Sequence, residues 1–305
     1  MAPWNRESII TRSPTLKRFQ GATCLSLEIK PPCRHCQEGN YQLCESASTG
    51  GAPRGFGGGW GDGYVAHESE IYPVPDDISD EQAVLVEPLS VGVRTVLRRV
   101  PQPGEQVLVV GAGIIGLTVV QALRALVPDV HISVMARYPH QAETALGLGA
   151  STIIGPEDDI YQTTAMATGA KLYTGMLGNR MLLGGFDVVY DCVGNEKTLT
   201  DSLRLARGGG AVVLAGISLV PLRLDLTPVW FQEVDLLGVN AHGMETWQGK
   251  KRHTYDITID LMRSGQLNTT QFITHRFKLE QWRQAVNTAM DKRSRAIKVV
   301  FDYRT

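Results

Sequence analysis

Gly111, Gly113 and Gly116 stand in the spacing G-x-G-x-x-G, directly after the apolar run Val107-Leu108-Val109-Val110 and directly before the helical stretch Leu117 to Leu126. Strand, tight turn and helix form the frame in which this spacing binds a dinucleotide. Gly111 permits the turn, Gly113 lets the backbone approach a pyrophosphate, and Gly116 lets helix and strand pack closely. The helix N-terminus, with Ile114 and Ile115 in its first turn, offers free N–H groups and a positive dipole end to the phosphates. A second chemistry follows about 20 residues on, where a carboxylate after the second strand would bind a ribose 2′-OH. In Val134-Met135-Ala136-Arg137-Tyr138 that position is Ala136. No acid stands there to repel a 2′-phosphate, and the planar fork of Arg137 suits one. Tyr138 offers a face for adenine, with His140 nearby, so the expected cofactor is NADP(H), with NAD as the alternative. A third chemistry lies in Cys33, Cys36 and Cys44, clustered among five cysteines. Clustered thiols in a reducing compartment suit a metal lobe better than a disulfide framework.

The elements that must position these residues alternate from Gln106 onward. Strands are expected at Val107–Val110, His131–Met135, Ser151–Ile154, Phe186–Tyr190, Ala211–Ala215 and Leu236–Ala241, with helices at Gln141–Leu148 and Lys197–Leu205. Alternating β and α implies a doubly wound parallel sheet. Ahead of it, Ser79 with Gln82 forms a capping-box start to a helix running toward Val100 and stopped by Pro101. Cys24–Ile29 reads as a short strand, Thr49–Gly63 as a glycine-rich loop and Tyr64–Val74 as a strand pair. After the sheet come a long amphipathic helix over Trp247–Arg263, another over Glu280–Asp291, and a strand at Ile297–Phe301.

Composition limits the function classes. The 305 residues are 43% hydrophobic and 20% charged with a net charge of −1, the profile of a globular chain of about two domains with no pull toward nucleic acid or an anionic membrane. Apolar runs fall far short of a membrane span, and the basic, polar stretch Met1 to Gln20 lacks a secretory pattern, so the expected location is cytoplasmic.

Several segments, in order, resemble the medium-chain dehydrogenase/reductase superfamily in its zinc alcohol and polyol dehydrogenase branch. They are Cys33-Arg34-His35-Cys36 with Cys44, Gly57-Gly58-Gly59-Trp60, Tyr72-Pro73-Val74-Pro75-Asp76, Glu87-Pro88-Leu89-Ser90-Val91-Gly92, the glycine turn, Tyr190-Asp191-Cys192-Val193-Gly194 and Ile273-Thr274-His275-Arg276-Phe277. The resemblance covers roughly residues 24 to 305 and is nearest to the sorbitol, glucose and threonine dehydrogenases because of the Glu-Pro-Leu-Ser-Val-Gly segment. It implies a Rossmann doubly wound α/β domain plus an incomplete GroES-like, β-rich catalytic domain: 1–90 for the partial catalytic domain with the cysteine lobe, 91–242 for the NAD(P)-binding domain, and 243–305 returning to the first.

The same resemblance implies roles residue by residue. Val193, Gly194, Ala215, Gly216 and Val239 are expected to line the cofactor cleft, and Lys298 to face the pyrophosphate. Cys33, Cys36 and Cys44 fit the last three positions of a four-cysteine structural zinc lobe, while Lys30 occupies the first. Cys24, His35 or water would complete the set; otherwise the lobe holds free thiols. Glu87 resembles the carboxylate that reaches the catalytic zinc, but one carboxylate cannot hold that metal. The family's zinc-binding Cys and Gly-His-Glu segment are not found ahead of the lobe, and Ala66-His67-Glu68 lies after it, so the chain reads as N-terminally truncated with an incomplete catalytic site. The expected function is NADP(H)-dependent hydride transfer between a small-molecule alcohol or carbonyl and nicotinamide, in a homodimer or homotetramer; the alternative is an inactive NADP(H)-binding remnant or sensor.

Overall fold

Runs of β-branched residues buried on both faces make central strands, and such strands form the middle of the six-stranded sheet in this computed structural model, which describes residues 15–17, 29–46, 60, 71–175 and 178–303. The strands are β1 (Gln106–Val110), β2 (His131–Met135), β3 (Thr152–Ile154), β4 (Phe186–Asp191), β5 (Ala206–Leu214) and β6 (Asp235–Gly238). Their spatial order is β3-β2-β1-β4-β5-β6 and every pair is parallel. This is the doubly wound order, which reverses direction between β1 and β4. Val107 pairs with Ile132 on one side and Val188 on the other, so the centre is closed by apolar side chains with no solvent contact.

Helices α1 (Asp80–Arg98), α2 (Ile114–Leu126), α3 (Pro139–Gly147), α4 (Ile160–Thr168) and α5 (Glu196–Leu205) accompany the sheet. The expected capping box of α1 is formed: the Ser79 N–H donates to Gln82 Oε1 at 2.9 Å and the Gln82 N–H to Ser79 Oγ at 3.3 Å. A Cβ on Gly92 of α1 would stand 2.6 Å from the Thr118 carbonyl carbon of α2, so the two helices meet at bare backbone. Among the described residues no helix is long and apolar enough to cross a membrane.

The chain divides into two compact units: Met1–Glu87 with His242–Met244 and Thr269–Thr305, and Pro88–Ala241 with Glu245–Asn268. The segment expected to return as one piece is therefore split. Residues 245–268 pack with the sheet, where Gln121 Nε2 donates to the Asn268 carbonyl at 2.6 Å. The other unit contains the parallel pair Ile273–Phe277 and Lys298–Phe301, with the helix Trp282–Met290 between them in sequence.

One expected element is corrected. Trp247–Arg263 is not a single helix: Met244–Trp247 and Lys250–His253 are short strands of one hairpin, and the helix begins at Thr254. Gln248 at φ 49° and Gly249 at φ 75° turn the chain between them, and His253 Nδ1 then caps the helix by accepting from the Tyr255 N–H at 3.1 Å. Elements not anticipated include α4, the helical turn Arg34–Gln37, the short helix Thr227–Phe231, an antiparallel hairpin of Lys171–Thr174 with Arg180–Leu183, and the strand Ile273–Phe277. The expected strand Cys24–Ile29 falls almost wholly outside the described residues, as does the loop 49–63 apart from Trp60; of 64–74, Ile71–Pro73 is a strand paired antiparallel with Thr15–Lys17.

Entry into the sheet is held by a charged clamp. Arg99, just past α1, donates to both carboxylate oxygens of Glu105, at 2.6 and 2.8 Å, and Tyr190 Oη donates to the Arg99 carbonyl at 2.5 Å. Burial pushes the Glu105 carboxyl up, but the Arg99 guanidinium and the Gln102 N–H outweigh it and hold Glu105 below the usual carboxylate range. A depressed folded pKa stabilises above the unfolded value of about 4.3 and loses that stabilisation as pH falls through the folded value. Glu105→Gln is thus expected to cost about 1 to 2 kcal/mol at pH 7, with the difference from wild type closing below about pH 4 in urea melts. A pH-independent difference would refute the clamp.

Candidate cofactor and metal sites

The glycine turn is built as a cradle. β1 delivers the chain to Gly111, at φ 92°, whose N–H donates to the Met135 carbonyl at 3.1 Å and so ties the turn to the end of β2. A Cβ on Gly111 would lie 2.4 Å from Val193 Cγ2, and one on Gly116 would lie 1.7 Å from the Gly111 carbonyl oxygen. Both glycines are demanded by packing. Gly113 differs: no atom lies within 4 Å of its would-be Cβ. It stands at the N-cap of α2 with no side-chain cap, and Ile114 and Ile115 form the first turn, half-buried. Bare space beside an uncapped helix N-terminus is the geometry a pyrophosphate requires, so this turn fits a dinucleotide.

Past β2, Ala136 is buried and Arg137 is exposed. Among the described residues Arg137 has no ion-pair partner; its guanidinium lies 5.7 Å from the centre of the Tyr138 ring, and that ring stacks on His140 at 5.9 Å. On the other side of the switch point, Val193 and Gly194 follow β4, Ala215 and Gly216 follow β5, and the Val239 N–H donates to the Leu214 carbonyl at 3.1 Å. These residues gather around the ends of β1, β4 and β5.

Asp191 organises that group, a role the sequence reading did not assign. Its carboxylate accepts from the N–H groups of Val193 and Gly194, and burial holds the acid above the usual carboxylate range against those two donors. The available signal was an acid at the end of a buried strand, directly before Cys-Val-Gly. Burial and the neighbouring Asp191 charge raise the Cys192 thiol well above an ordinary cysteine, which keeps this half-buried residue protonated and unreactive.

In the other unit, Cys33, Cys36 and Cys44 converge with all three Sγ atoms within 4.8 Å of one another, and Cys33 Sγ lies 4.0 Å from Cys44 Sγ. The helical turn Arg34–Gln37 follows Cys33, Gly39 at φ 79° reverses the chain, and the Cys44 N–H donates to the Tyr41 carbonyl at 3.1 Å. Tetrahedral zinc with bonds of about 2.3 Å places sulfurs roughly 3.8 Å apart, so these thiols fit one soft metal ion. No other group of three His, Cys, Asp or Glu donors is gathered among the described residues. Glu87 is therefore in no such group. Burial raises its carboxyl, opposed by the charge of Lys298, so Lys298 is found acting on Glu87 within its own unit. The described residues do not furnish a catalytic zinc site at Glu87. Cys24 and Ala66-His67-Glu68 lie outside them.

Residues 115–253 match the family model described as zinc-binding dehydrogenase. The chain is 32% identical over 274 residues to L-idonate 5-dehydrogenase of Vitis vinifera, covering 88% of this chain and 69% of that protein. Among solved structures, an alcohol dehydrogenase (rspB) of Escherichia coli CFT073 complexed with NADH matches 89% of this chain and 73% of its own, with TM-score 0.72 at 21% identity. A putative zinc-binding dehydrogenase of Sinorhizobium meliloti bound to NADP matches 99% of this chain and 78% of its own, with TM-score 0.70 at 21% identity. The structures establish the Rossmann-type fold; the identity to the Vitis enzyme establishes descent, and the chain belongs to the zinc-type alcohol and polyol dehydrogenase branch of the medium-chain dehydrogenase/reductase superfamily, a family of oxidoreductases.

Proposed function

We propose that this oxidoreductase binds NADP(H) in preference to NAD(H) and transfers hydride between nicotinamide and a small alcohol or carbonyl compound. The observation that carries the reading is an open Gly113 together with Arg137, which makes no ion pair among the described residues, beside Ala136. Gly111, Gly113, Ile114, Ile115 and Gly116 receive the pyrophosphate on backbone N–H groups, Arg137 and Tyr138 take the 2′-phosphate and adenine, and Val193, Gly194, Ala215, Gly216 and Val239 line the other half. Bound nicotinamide supplies or accepts the hydride at its ring carbon. The chain's own contribution is orientation and exclusion of water around the ends of β1, β4 and β5.

Cys33, Cys36 and Cys44 are proposed to hold a structural zinc, in the partial GroES-like domain that we read in residues 1–90. The donor groups described around Glu87 do not fit a catalytic zinc, and no step is assigned to one. That same observation favours a second reading, an NADP(H)-binding protein without turnover. The outer edge of β6, which has no neighbouring strand among the described residues and where Leu236 is 39% exposed, is the proposed contact in a homodimer or homotetramer, and the proposed location is the cytoplasm.

Titration of the purified chain with NADPH and NADH tests the cofactor, with NADPH expected to bind at least tenfold more tightly, a difference of about 1.4 kcal/mol. Equal affinities would remove the role given to Arg137. Zinc per chain by elemental analysis divides the two readings: about two ions mean a rebuilt catalytic site and the dehydrogenase reading, and about one means the lobe alone and favours the reading without turnover. None means free thiols.

A further inference from the structure

We propose that Asp191 is the positioning residue for the nicotinamide half of the cofactor crevice, because its buried carboxylate fixes the loop after β4 that its backbone carbonyl joins to the loop after β5. The inference rests on the reading of the glycine turn as a dinucleotide site. Asp191 ends β4 and is completely buried. Its Oδ1 accepts from the Val193 N–H at 2.9 Å and the Gly194 N–H at 3.0 Å. Its own carbonyl accepts from the Ala215 and Gly216 N–H groups, both at 2.9 Å. The next residue, Cys192, donates its N–H to the Val110 carbonyl at 3.0 Å, which extends the tie to the strand end that carries Gly111.

The loops so joined touch at bare backbone. A Cβ on Gly194 would stand 2.5 Å from the Gly216 carbonyl carbon, and one on Gly216 would stand 2.2 Å from the Gly194 nitrogen. Backbone contact and the hydrogen bonds of Asp191 set their spacing there, since neither residue has a side chain to wedge or pack. Two N–H groups converging on one buried oxygen call for a carboxylate, whose charge strengthens both bonds; an unpaired buried acid would be costly. The residues after β2 take the adenosine end of a dinucleotide bound at this switch point. The loops after β4 and β5 therefore meet its opposite end.

That geometry separates a positioning role from a merely structural one. Isothermal titration of the full chain uses NADPH, which spans both halves, and 2′,5′-ADP, which carries only the adenosine end. In Asp191→Ala the NADPH dissociation constant is expected to rise roughly 10- to 100-fold, while that of 2′,5′-ADP stays within about twofold. Asp191→Asn keeps an acceptor oxygen for the two N–H groups and is expected to recover most of the NADPH affinity, to within about fivefold of wild type but measurably short of it. Parallel losses for both ligands, or unchanged NADPH binding in Asp191→Ala, would overturn the assignment. If Asp191→Ala does not fold, a wild-type NADPH constant in Asp191→Asn overturns it instead. Failure of the wild-type chain to bind either ligand would be the failure of the dinucleotide reading itself, a result distinct from all of these.

Discussion

Gly116→Ala is expected to destabilise the sheet-bearing unit and abolish cofactor binding, whereas Gly113→Ala, three residues earlier, abolishes binding and leaves stability untouched. The contrast follows from what each new methyl group meets. At Gly116 it lies 1.7 Å from the Gly111 carbonyl oxygen and 2.9 Å from the Gly111 carbonyl carbon. Those are backbone atoms, so α2 must retreat from the turn, at an expected cost of about 3 kcal/mol or more and a fall in melting temperature of roughly 6 to 12 °C for a unit of this size. At Gly113 the methyl meets nothing within 4 Å, and φ is −74°, which any residue adopts. The folded chain accepts it; a pyrophosphate approaching the same space does not, and the NADPH dissociation constant is expected to rise about 100-fold or more. Calorimetry and NADPH titration on the two variants check both halves. Wild-type NADPH affinity in Gly113→Ala would show that this turn is not the pyrophosphate cradle, and wild-type stability in Gly116→Ala would contradict the close approach of helix and strand.

Arg137→Ala is expected to weaken NADPH binding roughly 10- to 100-fold and leave NADH within about twofold. Arg137 is exposed and makes no ion pair among the described residues, so its removal has little to disturb in the fold. The 2′-phosphate is the only difference between the two ligands, and a guanidinium beside it forms charge-assisted hydrogen bonds with no acid at Ala136 to compete. Arg137→Lys should fall between, since an ammonium keeps the charge and loses the fork. The wild-type preference should also decline with added salt, as exposed charges do. A parallel loss for both dinucleotides would assign Arg137 to the shared adenosine contacts and leave cofactor choice to other residues.

The sheet and its turn were legible because their determinants are local. Val107 to Val110 reads as a buried strand from its apolar, β-branched run, and three glycines at that spacing directly after it read as a turn into a helix. The hairpin at Met244–His253 was hidden because a charged tract, Lys250-Lys251-Arg252, satisfies helical and extended patterns alike, and the deciding residue is Gln248 at positive φ, which side chain chemistry does not announce. Helix α4 carried local signals that went unused, an Asp159 cap and Gly169 in the left-handed region at its end. Strand Ile273–Phe277 is half-buried and short, and its parallel partner lies more than twenty residues away, so nothing local demands it.

The sequence by itself determined the dinucleotide turn, the absence of an acid at Ala136, the three clustered cysteines and the family, because each depends on residue type and short spacing. Only the tertiary structure decided which glycines are packed and which is open, that Lys298 answers Glu87, and that Asp191 ties two loops together. Those facts depend on contacts between segments far apart in the chain, and such contacts exist only after the sheet has brought the ends of β1, β4 and β5 side by side.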